Sequence, residues 1–285
     1  MTDFPRGFKF SQSNLQDYRD CARRFELRHL KRRQYPAPVA EPLEELERHR
    51  QRGEHFHRLV QQHQLGINEA ILKWSIHDED LLEWWESYLT FAKTELRDAD
   101  RHFAEIALYT EVEGHRVTAK YDLIVIQDDR FIIFDWKTSQ FKPKRSTLEQ
   151  RLQSIVYPFV MAQAGGQLLD SAVRISSAVD PRQIEMWYWF TASPTEPEKF
   201  IYDPDRYDAD REVLSSLIRE ISGRTSFEKT EDLRHCRYCV YRSLCDRGQR
   251  AGDANSTDEY NEAETFDTEI GDFKFDFDQI AEVEF

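Results

Sequence analysis

The chain has 285 residues, of which 40% are hydrophobic and 32% charged, with 19 Phe, 12 Tyr and 6 Trp. That is enough apolar material for one large or two modest cores, whereas no apolar run approaches the ~18 residues that cross a bilayer and the N-terminus lacks the basic-then-apolar layout of a signal peptide, so a soluble, cytoplasmic protein without membrane contact is expected. The net charge of −14 argues against a uniformly basic nucleic-acid binder, but residues 253–285 hold twelve acids and one Lys (−11), which leaves residues 1–252 at −3.

Ser11 or Ser13 is placed to cap a first helix, along which Leu15, Tyr18, Cys21, Phe25 and Leu30 keep to one stripe. After Pro36, Pro38 and Pro42 a long helical region is predicted over 43–98, interrupted near Gly66 and Asn68. Within it Trp84, Trp85, Tyr88 and Phe91 read as core rather than as a base-stacking surface. From 103 the period changes to that of strands, over 103–112, 117–126 and 131–136; Glu105 and Glu111 on the first of these, the strand preceding Asp122, could add a metal ligand but read rather as surface carboxylates. Ser146-Thr147-Leu148-Glu149 has the form of a capping box, which predicts a helix from there to about Gly165-Gly166. Strands are expected over 173–179 and 184–190 and a helix over 213–221. The last 33 residues, 253–285, interleave acids with Phe266, Phe273, Phe275, Phe277 and Phe285 and are expected to form a disordered tail on a single domain, 1–252.

The most informative stretch is 119–137, where two apolar runs flank the polar pair Asp128-Asp129. A two-residue turn there pairs 126 with 131, 124 with 133, and 122 with 135. Asp122 and Asp135 would then face each other at the open end of a hairpin, Cβ atoms roughly 4.5–5.5 Å apart, where like charges repel. A hard divalent cation between them turns the repulsion into ligation. Lys137 projects from the same face as Asp135 and can stabilise charge developing on a phosphate. The alternative is a strand that ends in solvated Asp and Lys.

These residues resemble a known pattern. Asp122 followed by Asp135-Trp136-Lys137-Thr138 resembles the D…(D/E)-x-K-T motifs of RecB-type nucleases in the PD-(D/E)XK superfamily. Gln153-Ser154-Ile155-Val156-Tyr157 matches that family's Q-x-x-x-Y, and Gly53-Glu54-His55-Phe56-His57 its G-x-x-x-H. The resemblance spans residues 11–245. It implies an α/β fold: a restriction-endonuclease-like core, a central mixed sheet flanked by helices, with an N-terminal helical lobe. It also implies Mg2+ or Mn2+ held by His57, Asp122, Asp135 and the carbonyl of Trp136, with Lys137, Gln153 and Tyr157 completing a catalytic site. The expected activity is hydrolysis of DNA phosphodiesters, as an exonuclease on single strands or duplex ends, in repair, recombination or defence.

Cys236-x-x-Cys239-x5-Cys245 with the distant Cys21 resembles the iron–sulfur staple of AddB-type and CRISPR-associated nucleases. Four thiolates suit a [4Fe–4S] cluster, and structural zinc is the alternative. Ala22 departs from the Pro that often follows the first of these cysteines. Such a staple would bring Arg19, Arg23, Arg24, Arg28, Lys31, Arg32 and Arg33 beside Arg234, Arg237, Arg242, Arg247 and Arg250 as a phosphate-binding patch. No G-x-x-x-x-G-K-[ST] occurs, so a motor would have to be a separate helicase subunit. The rival reading is a non-catalytic iron–sulfur DNA-binding subunit of a helicase–nuclease complex.

Overall fold

A computed structural model describes residues 4–5, 7–33, 41–97, 99–169, 178–236 and 239–247, with the side chains of 41–47 excepted. The expected tail over 253–285, most of the strand expected over 173–179, and Arg237 and Arg250 lie outside these residues.

Short strand β1 (Lys9–Ser11) leads into α1 (Gln12–Asp20), which Ser11 caps together with Asn14 in a reciprocal box. The expected single helix does not continue through Cys21, whose extended backbone (φ −161°) separates α1 from α2 (Ala22–Phe25) and a π-turn, Glu26–Leu30. The N-terminal lobe is α3 (Glu41–Gln64), α4 (Glu69–Trp74) and α5 (Glu79–Glu95). The breaks fall at Gly66, which has φ +88°, and at Asn68 and Asp78, whose side-chain oxygens cap the next helix.

The sheet is formed by β2 (Arg101–Val112), β3 (His115–Gln127), β4 (Arg130–Lys137), β5 (Ile184–Phe190), β6 (Ser193–Ile201) and β1. Its path runs β1-β3-β4-β5-β6, with β2 on the other edge of β3. β1–β3 and β4–β5 are parallel and the remaining pairs antiparallel, so the sheet is mixed. β3 is long enough to hold β1 against its first half and β4 against its second.

Alternation along β4 and β5 splits the core in two. Phe131, Ile133, Ile184, Met186, Tyr188 and Phe190 pack with α1, α7 (Leu152–Ala164) and α8 (Pro204–Gly223) on one face. Ile132, Phe134, Trp136, Trp187 and Trp189 pack with Phe56, Trp85, Tyr88 and Phe91 of the lobe on the other. The aromatic stripe of α5 is therefore core, as expected. A central mixed sheet flanked by helices on both faces is the restriction-endonuclease-like arrangement.

Other elements also differ from expectation, and α8 begins nine residues before the helix expected over 213–221. Ser146–Glu149 caps nothing: α6 (Arg145–Gln150) starts from Lys144 without a side-chain cap, and an extended Arg151 separates it from α7. The break is held from outside, because Leu152 N–H donates to Gln16 Oε1 (3.2 Å) and Arg19 to the Gln150 carbonyl (2.8 Å). β6 was not expected, since Pro194 and Pro197 interrupt its pattern; both are tolerated because β6 is an edge strand.

Candidate active site

Asp128 and Asp129 both have positive φ (48° and 63°), the backbone of a two-residue hairpin turn that short polar side chains tolerate. The register follows the expected one through Gln127–Arg130, Ile126–Phe131 and Ile124–Ile133 to Leu123–Phe134. There the ladder stops. Instead of pairing with 135, Asp122 turns its carboxylate onto the backbone, and Trp136 N–H donates to Asp122 Oδ2 (3.0 Å).

The cause lies one strand away. Val117, Ala119 and Tyr121 face the α7 side, whereas Leu123 and Val125 face the lobe, so β3 changes face at Asp122. β2 changes with it: Ile106 faces α7, Ala104 the lobe, and Glu105 between them has φ +53° and no ladder partner. This shared kink aims Glu105 and Asp122 at α3. His57, Glu105 and Asp122 bring one ligand atom each to within 4.8 Å of one another, the one such trio among the described residues. His57 Nδ1 is buried without a hydrogen bond, 3.4 Å from Asp122 Oδ2. An imidazole nitrogen left unsatisfied between two carboxylates suits a divalent cation. Glu105, read from sequence as a surface carboxylate, is thus part of the site, although it also pairs with Lys120 at 2.7 Å. Only its backbone conformation marks it out, and no residue-type pattern signals that.

Asp135 is 1% exposed and belongs to a second group. Its Oδ2 lies 3.0 Å from Lys137 Nζ and its Oδ1 accepts from Gln153 Nε2 (2.6 Å). Gln153 Oε1 in turn accepts from Lys137 Nζ (2.9 Å). Lys137 Nζ also lies 5.8 Å from the centroid of the Tyr188 ring. Gln153 is thereby aimed at this group from the first turn of α7. Tyr157, one turn further along α7, is 3% exposed like Gln153; its ring lies 5.0 Å from that of Tyr121, and its carbonyl accepts from Tyr121 Oη.

The N-terminal helices meet the segment that carries the C-terminal cysteines. Arg23 N–H donates to the Glu228 carbonyl (3.0 Å), and Tyr241 Oη to that of Arg33 (3.1 Å). Burial pushes the thiols of Cys236 and Cys245 up, and the charge of Cys21 adds to both shifts, so Cys21 shares their neighbourhood. Among the described residues no three sulfurs lie within 4.8 Å of one another. The basic patch expected here is neutralised in part. Asp17 binds Arg24 (2.9 Å), Arg28 (2.8 Å) and His29 (2.7 Å), Asp20 binds Arg24, and Glu26 binds Arg23 and Lys31. Burial alone would raise the Asp17 carboxyl, but Arg28, His29 and Arg24 outweigh it and hold it well below the usual range.

Comparison with known proteins adds the following. The sequence model of the PD-(D/E)XK nuclease superfamily matches residues 9–246. A Eubacterium rectale structure bearing the name "Putative exonuclease" has a TM-score of 0.50 at 8% identity, over 88% of this chain and 92% of that one. The crystal structure of SSO0001 has a TM-score of 0.40 at 14% identity, over 86% and 89%. No curated protein matches the chain in sequence. No helix among the described residues is long and apolar enough to cross a membrane.

Proposed function

The chain belongs to the PD-(D/E)XK nuclease superfamily, and we propose that it is a Mg2+- or Mn2+-dependent deoxyribonuclease that trims single strands or duplex ends. The observation that carries this reading is the junction of two charge groups through one backbone unit: Asp122 accepts from Trp136 N–H, while Asp135 and Lys137 flank Trp136. The cation would be held by His57, Asp122, Asp135 and the Trp136 carbonyl, with Glu105 as a further donor. When bound there it supplies Lewis-acid charge that neutralises the scissile phosphate and makes water acidic enough to attack.

The remaining roles belong to the chain's own groups. Gln153 bridges Asp135 and Lys137, fixing both side chains before substrate arrives. The Lys137 ammonium is available to charge developing on a phosphate oxygen. Trp136 is 2% exposed among lobe aromatics, and it anchors the strand that carries both charges. Phe141, 47% exposed four residues beyond Lys137, offers a ring on which an unpaired base can stack, which favours single strands and frayed ends as substrates.

The cysteines form a second part of the proposal: Cys21, Cys236, Cys239 and Cys245 hold a [4Fe–4S] cluster, with zinc as the alternative. Shared neighbourhood and an all-thiol donor set support it; the sulfur separations require the 236–245 segment to close further on binding. A separate helicase subunit remains a partner proposal resting on the resemblance alone.

The test is cleavage of labelled single-stranded and blunt duplex DNA by purified protein with Mn2+, Mg2+ or EDTA. Cleavage should require the cation and fall by orders of magnitude in Asp122→Asn. Phe141→Ala should raise KM on single strands by about tenfold, from the ~1–3 kcal/mol of one lost stack. Metal-independent cleavage, or none with either ion, would overturn the proposal.

A further inference from the structure

His49, Gly53 and His57 are spaced four residues apart on α3 and so lie on one stripe of the helix. The first two meet the same residue of the sheet. His49 Nε2 is 2.7 Å from the Thr138 carbonyl oxygen, which can only accept, so the imidazole donates. The His49 ring is itself seated edge-on to Trp84, centroids 5.5 Å apart. Gly53 lies so near that a Cβ built on it would meet Thr138 Oγ1 at 2.7 Å, a distance that real Cβ atoms do not adopt. Thr138 directly follows Lys137. The residue just past the charged strand is therefore also the seat of α3, and one turn further along the helix His57 reaches Asp122 at 3.4 Å.

A single helical turn is stiff, so a lift of α3 at Gly53 is carried to His57. We infer that Gly53 and His49 are positioning residues that seat α3 on Thr138 at the height where His57 Nδ1 meets Asp122. They would tune cation affinity without touching the cation. Glycine fits at 53 through close approach rather than backbone freedom, since a Cβ there would force Thr138 Oγ1 or the helix to shift, and the same contact ties the lobe to the strand that carries Asp135 and Lys137. The inference rests on His57 as a ligand, as in the proposed function.

The experiment measures Mn2+ binding by calorimetry and the Mn2+-induced rise in Tm, on protein without DNA. Gly53→Ala should weaken Mn2+ by about tenfold or more, on the scale seen when groups that orient a ligand are removed. Adding Thr138→Ala removes the clashing oxygen and leaves the seat open, so the double variant should recover. His49→Ala should weaken Mn2+ as well. His49→Gln keeps an amide N–H able to reach the same carbonyl, so it should bind within about threefold of the parent. Should Gly53→Ala not fold, the two His49 variants carry the test. A lower metal-free Tm with unchanged Mn2+ affinity in Gly53→Ala and His49→Ala would make the contact merely structural and overturn the inference. His57→Ala separates the two levels. Unchanged Mn2+ affinity in His57→Ala breaks the ligand assignment itself; lost affinity there, with wild-type affinity in the other two, breaks only the seating.

Discussion

Glu105 holds a left-handed backbone in mid-strand, a conformation that costs a non-glycine residue roughly 1–3 kcal/mol. Two carboxylates are gathered at His57 by that distortion, so without a cation the site carries both strain and like-charge repulsion. Glu105→Gln keeps the shape and removes one charge. Its metal-free Tm should rise or stay level, while the Tm gain on adding Mn2+ should shrink, since ligand-linked stabilisation follows the cation's affinity. Thermal scans with and without Mn2+ decide it, and an undiminished Mn2+ shift would remove Glu105 from the ligand set. The residue scale also shows what the sequence made legible. Asp122, Asp135 and Lys137 were singled out by the period of the hairpin strands, and Gln153 by the resemblance to the Q-x-x-x-Y motif. Glu105 was named only as the lesser alternative, because periodicity assumes an unbroken alternation and the kink lies where two strands break it together.

Elements were legible where local pattern and tertiary demand agreed, as in the hairpin, whose turn pair and register follow from polar and apolar runs alone. They were not where packing overrode local chemistry: α1 pries the α6–α7 helix open at Arg151, and β6 forms despite two prolines. α8 holds an electrostatic consequence of such packing. Asp210 is 3% exposed, and burial pushes its carboxyl up to about 6 although Arg206 at 3.1 Å pulls it down. A carboxyl raised in the folded state binds its proton more tightly there. Its contribution is complete below the unfolded value near 3.8 and is lost as pH rises through about 6. Asp210→Asn lacks that loss, so relative to wild type it should gain about 2–3 kcal/mol between pH 4 and pH 7, at ~1.4 kcal/mol for each tenfold difference in proton affinity between the folded and unfolded chain. Denaturant midpoints across that range test this, and parallel curves would show that Asp210 titrates normally.

The element junction at the cysteines yields a separate expectation. Cys21 occupies the break between α1 and α2, and the 236–245 segment reaches back to it across aromatic contacts of Phe227 with Tyr18 and Phe25. Those contacts and the Arg23–Glu228 and Tyr241–Arg33 hydrogen bonds hold the two segments together, so loss of one thiol should loosen the junction rather than unfold the chain. Cys239→Ala prepared anaerobically should lose iron and its visible absorbance, and gain protease sensitivity near 228–245, while cation-dependent cleavage persists. Stoichiometric zinc without iron in the parent protein would replace the cluster with the zinc alternative.

At the scale of the molecule, charge is divided between a nearly neutral body and the strongly acidic residues 253–285. Because Arg23, Arg24, Arg28 and Lys31 are spent on Asp17, Asp20 and Glu26, the body has fewer cations for DNA than its composition suggests. Lys144, beyond the charged strand, and Arg58, beside His57, are exposed and form no ion pair among the described residues. If a segment of net −11 on the same chain competes with DNA for such cations, it does so at high effective concentration. Deleting 253–285 changes the formal charge from −14 to −3 and should tighten DNA binding. Screening sets the salt dependence: with a Debye length near ~30 Å at 0.01 M and ~8 Å at 0.15 M, the gain should be largest in dilute buffer and fade toward physiological salt. Binding of fluorescent single-stranded DNA in Ca2+, across a salt series, reads this without cleavage. Equal affinity of full-length and truncated proteins in dilute buffer would leave the acidic segment without influence on substrate binding.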